Sequence, residues 1–257
     1  MDAVDIGVRV ERDGGVLWLR LHRPESRNAL TLGDMHTLAT ALREVRGGED
    51  RCAVITGYEP GTFCSGFRLD GAAAGDMASG RAKLAADDLF GLLPVVPIPV
   101  IAVVDGPARG AGCELALRCD LRFASDRASF GIPAARLGIP YTPPSIAFLV
   151  RRYGQGPVAQ LFYAASTLDG AAALRCGLVH EVLSARRLQA RVADVTARIA
   201  ASAPLVQRFF KAAVAAAEGV GEEAAVDAAL TRVTASEDFA ETLRAISERD
   251  EPRFTGR

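Results

Sequence analysis

The sequence predicts an α/β fold built from repeated turns of strand, loop and helix. Three short, mostly apolar runs have the character of buried strands, at residues 52–56, 101–104 and 121–124. The first two lead through glycine loops at 64–66 and 110–112 into predicted helices. Turns of this kind can stack into a spiral, which places successive strand-to-helix loops on the same edge.

The remaining elements are predicted from turn residues and hydrophobic period. A β-hairpin is predicted at 8–12 and 16–22 around Asp13-Gly14-Gly15, followed by a helix at 31–45. Residues 72–80 are interpreted as a flexible loop or frayed helix, and 128–144 as irregular. Further helices are predicted at 81–93, 145–152, 156–165, 169–176, 188–202, 204–218, 222–234 and 237–247, with a short strand at 179–182. The change to an all-helical pattern predicts two parts, a core at 1–197 and a helical region at 198–257.

Composition excludes several classes of function. The formal net charge of −1 provides no general attraction for nucleic acid or an anionic membrane. The five cysteines are scattered, with neither metal-ligand spacing nor a disulfide framework. No apolar run approaches the roughly 20 residues of a membrane span, and no apolar signal core follows the N-terminus. We therefore expect a cytoplasmic protein with no metal.

The stretch 101–120 carries the strongest local indication of chemistry. Gly110-Ala111-Gly112 places small residues at the start of a predicted helix, where backbone N–H groups lack partners within the helix. Glu114 follows in the first turn, so one segment offers N–H donors and a group able to move a proton. The alternative is a tight connection with packing glycines and a carboxylate that complements the helix dipole. Neither a phosphate loop nor a dinucleotide fingerprint has this spacing.

Longer segments carry a family resemblance. The chain resembles the crotonase superfamily, which includes enoyl-CoA hydratases and isomerases, in HRPESRNAL, AVITGYEPGTFCSGFRL, IPVIAVVDGPARGAGCELALRCDLRFAS, ASFGIPAARLGIP and ASEDFAETLRAISERDEPRFTGR. The resemblance implies a spiral of ββα units with a C-terminal helical trimerisation region. It implies a homotrimer or a dimer of trimers, and a coenzyme A thioester as substrate with no permanently bound cofactor.

The resemblance also implies roles for individual residues. An oxyanion hole of two backbone N–H groups maps onto Ser65 and Ala111, and a catalytic glutamate onto Glu114. Such donors stabilise the enolate-like anion of a thioester. The residues expected to bind coenzyme A or the acyl group are Ser26, Arg27, Ala29, Gly66, Phe67, Arg68, Leu69, Gly112 and Ala134. Arg23 is expected either near the phosphates or as a surface charge, and Lys211 near the adenine.

Departures from the family pattern leave the reaction open. Similar hydratases carry a second glutamate where this chain has Ala134, and an aspartate where it has Arg68, with Asp70 nearby. Tyr141 resembles a pocket tyrosine of methylmalonyl-CoA decarboxylases, but the histidine of those enzymes is replaced by Phe67. The leading hypothesis is an enoyl-CoA hydratase/isomerase-type enzyme that uses Glu114. The alternatives are decarboxylation of a malonyl-type thioester, with Tyr141 as a second catalytic residue, and a non-catalytic acyl-CoA binder.

Overall fold

A six-stranded sheet forms the centre of the molecule. The computed structural model describes residues 7–46, 48–58, 61–69 and 72–257. The strands of this sheet are β1 (Val8–Asp13), β2 (Val16–Leu21), β3 (Cys52–Gly57), β4 (Val100–Val104), β6 (Leu121–Ser125) and β9 (Glu181–Leu183). Their order is β1-β2-β3-β4-β6-β9, and β1 is antiparallel to β2 whereas every later pair is parallel. The predicted hairpin and buried strands are confirmed.

Both faces of this sheet are covered, as expected of parallel strands with continuous apolar sequences. Along β3, Ala53 and Ile55 belong to the larger apolar cluster, which also holds the helix after the hairpin. Cys52 and Val54 point to the opposite face and pack in a smaller cluster with Leu188. Alternate side chains along the strand thus pack into two separate hydrophobic cores on opposite faces of the sheet.

A second, three-stranded sheet was not predicted. It consists of β5 (Pro107–Arg109), β7 (Ser129–Gly131) and β8 (Thr167–Asp169), in the order β5-β7-β8. Strands of three residues are too short to show a hydrophobic period, and β7 lies in the stretch predicted to be irregular. This sheet matters for the site because the N–H of Gly110 donates to the carbonyl of Gly131 at 2.9 Å, which fixes the start of the next helix.

The helices largely follow the predicted positions. Those before the C-terminal region are α1 (Leu32–Arg43), α2 (Ala72–Ala78), α3 (Arg81–Leu92), α4 (Ala111–Arg118), α5 (Ala134–Leu137), α6 (Pro143–Tyr153), α7 (Gln155–Phe162) and α8 (Gly170–Arg175). Residues 72–78 therefore adopt the helical alternative. The stretch predicted to be irregular contains α5 as well as β7, and it holds the start of α6.

Four helices end the chain: α9 (Ala185–Ala201), α10 (Pro204–Ala217), α11 (Glu223–Thr234) and α12 (Glu237–Glu248). The predicted boundary between 197 and 198 falls inside α9 and stays a prediction. In α10 and α12 several large apolar side chains are more than half exposed: Phe210, Val214, Leu243 and Ile246. Across the described part of the chain, no helix combines the length and apolar character that a bilayer crossing demands.

Candidate active site

A largely apolar cavity of about 300 Å³ lies between the start of α4 and the helices α2, α3, α5 and α6. Its lining includes residues from each predicted functional segment: Ser65, Gly66, Phe67, Leu69, Gly110, Ala111, Glu114, Ala134 and Tyr141. Apolar side chains of α2, α3 and the α5–α6 connection supply much of the remaining wall: Met77, Ala82, Phe90, Leu137, Ile139 and Pro140. The structure thus brings the two glycine loops together at one cavity, as the repeated strand-to-helix turns predict.

The segment with the first glycine loop is held by single β-bridges on its two sides. Cys64 pairs with Ala108 of β5, and Phe67 pairs with Leu30. The second bridge consists of hydrogen bonds from Leu30 N–H to the carbonyl of Gly66, at 2.8 Å, and from Arg68 N–H to the carbonyl of Leu30, at 2.9 Å. The direction of each backbone N–H in this segment is therefore fixed.

This geometry corrects the predicted donor at Ser65. The Ser65 N–H donates to the carbonyl of Arg27 at 3.0 Å, and its hydroxyl donates to the carbonyl of Ser26 at 2.8 Å. Because N–H directions alternate along an extended chain, the N–H of Phe67 points away from Leu30. Within the described residues, no hydrogen bond takes up the N–H of Phe67. Phe67 therefore offers a backbone donor in this loop, which Ser65 does not.

The second donor is at the start of α4. Ala111 is the first residue of this helix, so its N–H has no partner within the helix, whereas the N–H of Glu114 bonds to the carbonyl of Gly110. A Cβ atom at position 66 would lie 3.7 Å from the amide nitrogen of Ala111. The two loops therefore approach each other at their backbones. Gly66 permits this approach with a φ of 107°, which L-residues with a Cβ rarely adopt.

Gly112 has a packing role rather than the predicted ligand contact. A Cβ atom at this position would lie 2.5 Å from the Cβ of Cys64 and 2.7 Å from its carbonyl oxygen. Only glycine allows α4 to pack directly on the first loop. The sequence allowed either a packing role or an N–H donor role for the glycine segment. Gly112 has the packing role, and Ala111 offers the N–H donor.

Glu114 is buried and oriented by one arginine. Its side chain is 2 % exposed, and Arg118, one turn later on α4, donates to its Oε1 from Nε at 3.1 Å and from Nη2 at 2.8 Å. Arg118 also donates to the hydroxyl of Ser145 at 3.2 Å and to the carbonyl of Phe90 at 3.0 Å. Its guanidinium lies 4.2 Å from the ring centre of Phe148. The carboxylate is therefore held by an almost fully buried cation that also bonds to Ser145 and Phe90.

Burial and the ion pair have opposite effects on this carboxyl group. Burial raises the pKa of Glu114 above its ordinary value, and the charge of Arg118 together with the hydrogen bond of Ser145 acts in the other direction. Both bonds from Arg118 go to Oε1, so Oε2 receives no bond from this arginine. Glu114 is thus equipped to exchange a proton inside an apolar cavity.

Tyr141 and Ala134 both contribute to the cavity wall. The hydroxyl of Tyr141 would lie 3.8 Å from a Cβ atom at Gly110, and its ring packs edge-on against Phe162 at 5.0 Å. Burial, followed by the nearby charge of Glu114, raises the pKa of Tyr141 well above its ordinary value. The phenol is therefore a neutral donor. Ala134 is 7 % exposed and adds only a methyl group to the wall.

A second carboxylate in the cavity was missed by the sequence analysis. Asp87 of α3 lines it together with Glu114, and these two are the acidic side chains among the described lining residues. Asp87 Oδ2 accepts from Lys83 Nζ at 3.1 Å, and Oδ1 accepts from the hydroxyl of Thr142 at 3.1 Å. On the sequence Asp87 is one of two adjacent acids in a charged helix, which gave no indication of its inward position.

The other predicted binding residues lie outside the lining of this cavity. Arg27 is exposed, with a left-handed φ of 54°, and Ala29 is buried. Ser26 and Arg68 are likewise absent from the cavity wall. Their predicted contacts with coenzyme A stay predictions. Asp70 lies outside the described residues.

Two predicted positions for cations are wrong. Arg23 is 3 % exposed and donates to both oxygens of Asp34 at 3.3 Å, so it is neither a surface charge nor open to a phosphate. Lys211 is 6 % exposed, forms an ion pair with Asp120 and donates to the carbonyl of Leu93 at 3.0 Å. Both buried cations are committed to carboxylates, the buried Asp34 and the partly buried Asp120, because a buried charge requires a partner.

Comparisons with known proteins agree over nearly the whole chain. The sequence model of the family described as enoyl-CoA hydratase/isomerase matches residues 11–257. A short-chain-enoyl-CoA hydratase of Clostridium acetobutylicum is 30% identical over 245 residues, covering 95% of this chain and 92% of that protein. A carnitinyl-CoA dehydratase of Proteus mirabilis is 32% identical over 254 residues, covering 95% and 96%.

Solved structures give the same result for the fold. An enoyl-CoA hydratase/carnithine racemase from Magnetospirillum magneticum is 28% identical with a TM-score of 0.86, over 98% of this chain and 96% of that one. An enoyl-CoA hydratase from Bacillus anthracis is 26% identical with a TM-score of 0.86, over 98% and 100%. The fold is thus the crotonase fold, and the chain belongs to the enoyl-CoA hydratase/isomerase family.

Proposed function

We propose that this protein is an enzyme that binds an acyl-CoA thioester and adds water to a 2-enoyl-CoA. The observation that carries the proposal is that Phe67 and Ala111, on loops whose backbones approach each other, line one apolar cavity together with the buried carboxylate of Glu114. Relatives at 30–32% identity named as a hydratase and a dehydratase support the same class of reaction.

The chemistry follows from the position of these groups. The thioester oxygen accepts from Phe67 and Ala111 N–H, which stabilise the negative charge that develops there as water attacks C3. Loss of one such donor typically costs about 100- to 1000-fold in kcat. Oε2 of Glu114 takes a proton from the water and returns it to C2. The apolar wall excludes bulk water and strengthens these electrostatic interactions.

A second candidate reaction is decarboxylation of a malonyl-type thioester. Its support is the neutral phenol of Tyr141, which lies in the same cavity. In this reaction the N–H pair would stabilise the enolate that forms when the carboxylate leaves as carbon dioxide. This reaction requires no second carboxylate at position 134. Carbon dioxide release from methylmalonyl-CoA would establish it in place of hydration.

The test of the main proposal is hydration of crotonyl-CoA, followed by the loss of absorbance of the conjugated thioester. We expect turnover by the wild type and a loss of at least about 100-fold with Glu114→Gln. Asp126→Asn, an exposed change outside the cavity, is the control and keeps full activity. Tight binding of acyl-CoA thioesters without turnover of any enoyl or malonyl compound would contradict the proposal and support a non-catalytic binder.

The C-terminal helices are proposed to form contacts between copies of the chain, in a trimer or a dimer of trimers. The support is the exposed apolar side chains of α10 and α12, such as Phe210 and Ile246, which are 57% and 70% exposed. Light scattering is expected to give a mass three or six times that of the chain. A monomer at micromolar concentration would contradict this part of the proposal.

A further inference from the structure

We propose that Asp87 is the second carboxylate of the active site and holds the attacking water together with Glu114. The inference rests on the hydratase function proposed above and extends it to a residue on a different helix from Glu114. It assigns to α3 the part of the chemistry that Ala134, with its methyl side chain, cannot supply.

The placement of Asp87 supports this role. Within the described lining of the cavity, Asp87 and Glu114 are the two acidic side chains, and they come from α3 and α4. The charge of Asp87 acts on both Glu114 and Arg118, which places it in the electrostatic surroundings of the buried pair. At 34% exposure its side chain is open to the cavity, whereas its neighbour Asp88 faces away and pairs with Arg43.

The orientation of Asp87 is fixed by one donor on each oxygen. Lys83 Nζ bonds to Oδ2 and Thr142 Oγ1 to Oδ1, both at 3.1 Å. Because a carboxylate has about four acceptor sites, each oxygen keeps capacity for a further bond.

A continuous set of polar contacts connects the two carboxylates. Thr142 is the N-cap of α6, and its hydroxyl accepts from the N–H of Ser145 at 3.3 Å. The hydroxyl of Ser145 in turn accepts from Nη2 of Arg118, which holds Glu114. The first turn of α6 therefore sets the position of Asp87 relative to Glu114.

The proposed step uses both ionised carboxylates and one water. Asp87 accepts one hydrogen bond from the water and Oε2 of Glu114 accepts the other. The water O–H bond towards Glu114 breaks as the oxygen bonds to C3, and the C2=C3 electron pair moves onto the thioester as an enolate. Glu114 then returns the same proton to C2. The product is the 3-hydroxyacyl thioester, and both carboxylates are ionised again.

Because the two carboxylates have different roles in this step, variants of Asp87 and Glu114 should lose different activities. Exchange of the C2 hydrogens of butyryl-CoA with deuterium oxide requires Glu114 and the N–H pair but no attacking water on C3. Asp87→Asn should therefore lower kcat for crotonyl-CoA hydration by about 100-fold, while the exchange rate stays within about three-fold of wild type. Glu114→Gln should abolish both reactions. A merely structural role of Asp87 in holding α3 against α6 would impair hydration and exchange alike.

The matched control is Asp88→Asn, which removes a carboxylate from the next position of the same helix and should leave both rates unchanged. Hydration by Asp87→Asn at the wild-type rate would overturn the inference, as would loss of exchange together with hydration. A wild type that exchanges the C2 hydrogens but does not hydrate would overturn the proposed hydratase reaction and, with it, this inference. A wild type that does neither would overturn the proposed function itself.

Discussion

Arg118 donates two hydrogen bonds, from Nε and Nη2, to the single oxygen Oε1 of Glu114. Both side chains are almost fully buried, at 6% and 2% exposure. Arg118 itself does not line the cavity, so its charge reaches the cavity through Glu114. This ion pair fixes the orientation of the Glu114 carboxylate. It also sets the free-energy cost of burying that charge in the folded state.

We expect Arg118→Met to destabilise the protein by about 3–5 kcal/mol, because it leaves a buried carboxylate without its cation. Urea unfolding followed by circular dichroism measures the loss. Arg43→Met removes an arginine of a surface ion pair and should change stability by less than about 0.5 kcal/mol. A loss for Arg118→Met as small as that of the control would show that the pair contributes little.

The same variant should change how stability depends on pH. Burial already raises the pKa of Glu114, and removal of Arg118 raises it further. The folded state then binds this proton more tightly than the unfolded state. The resulting stability is present below the ordinary pKa of 4.5 and is lost as pH rises through the folded pKa. Arg118→Met should therefore lose stability more steeply than wild type above about pH 5. The double variant Arg118→Met/Glu114→Gln should lose this extra slope. If the stability of Arg118→Met depended on pH in the same way as that of wild type, the prediction would be wrong.

Substitutions in the first glycine loop separate backbone from side-chain roles. Phe67→Pro removes the proposed N–H donor and should lower kcat by about 100- to 1000-fold. Phe67→Ala keeps the N–H and should retain activity within about ten-fold. Ser65→Ala should also remain active, because the Ser65 N–H is bonded to Arg27. Steady-state hydration measures all three, with circular dichroism to confirm folding. Full activity of Phe67→Pro would exclude this donor.

Gly112→Ala should destabilise the protein by at least about 1–3 kcal/mol, because the new methyl group overlaps Cys64. Gly91→Ala, within α3 and with open space around the new methyl group, should be neutral or stabilising by up to about 1 kcal/mol. Thermal unfolding of the two variants tests the contrast. Equal melting temperatures would mean that α4 can move away from the first loop at little cost.

Lys211→Met should reduce stability without changing the affinity for butyryl-CoA. Lys211 joins α10 to Asp120, whose Oδ2 also accepts from the N–H of Val100 at 2.7 Å. Loss of the cation leaves this carboxylate partly buried and short of a donor. Calorimetry should give a Kd within about three-fold of wild type, as for Arg186→Met on the exposed surface. A large loss of affinity at unchanged stability would place Lys211 at the ligand after all.

The sequence predicted the elements whose patterns are long enough to read. The hairpin, the buried runs of β3 and β4 and the amphipathic C-terminal helices all extend over enough residues to show their period. Strands β5, β7 and β8 have three residues each and carry no period, yet β5 and β7 position the two glycine loops. Their pairing depends on contacts between distant parts of the chain.

The site was predictable in its location but not in its bonding. Glycine loops after buried strands indicated Ala111, Gly66 and Glu114. Which N–H of the first loop is available depends on the bridge between Phe67 and Leu30, because a shift of one residue reverses the direction of every N–H. Arg23 and Lys211 showed the same limit, since a cation on the sequence does not reveal whether its carboxylate partner is buried beside it.

One wall of the cavity is held in place by β-bridges, whereas another is made of short helices. The two walls therefore differ in how readily they can change during evolution. The N–H donors belong to segments tied to β5 and Leu30, so they tolerate little change. Met77 and Ala82 of α2 and α3, and Leu137 and Ile139 beside α6, take no part in those bridges. Mutation can therefore lengthen, shorten or reshape this part of the cavity while the bridged segments stay intact. Single substitutions in this wall would change which molecules the cavity accepts without disturbing the bridged segments.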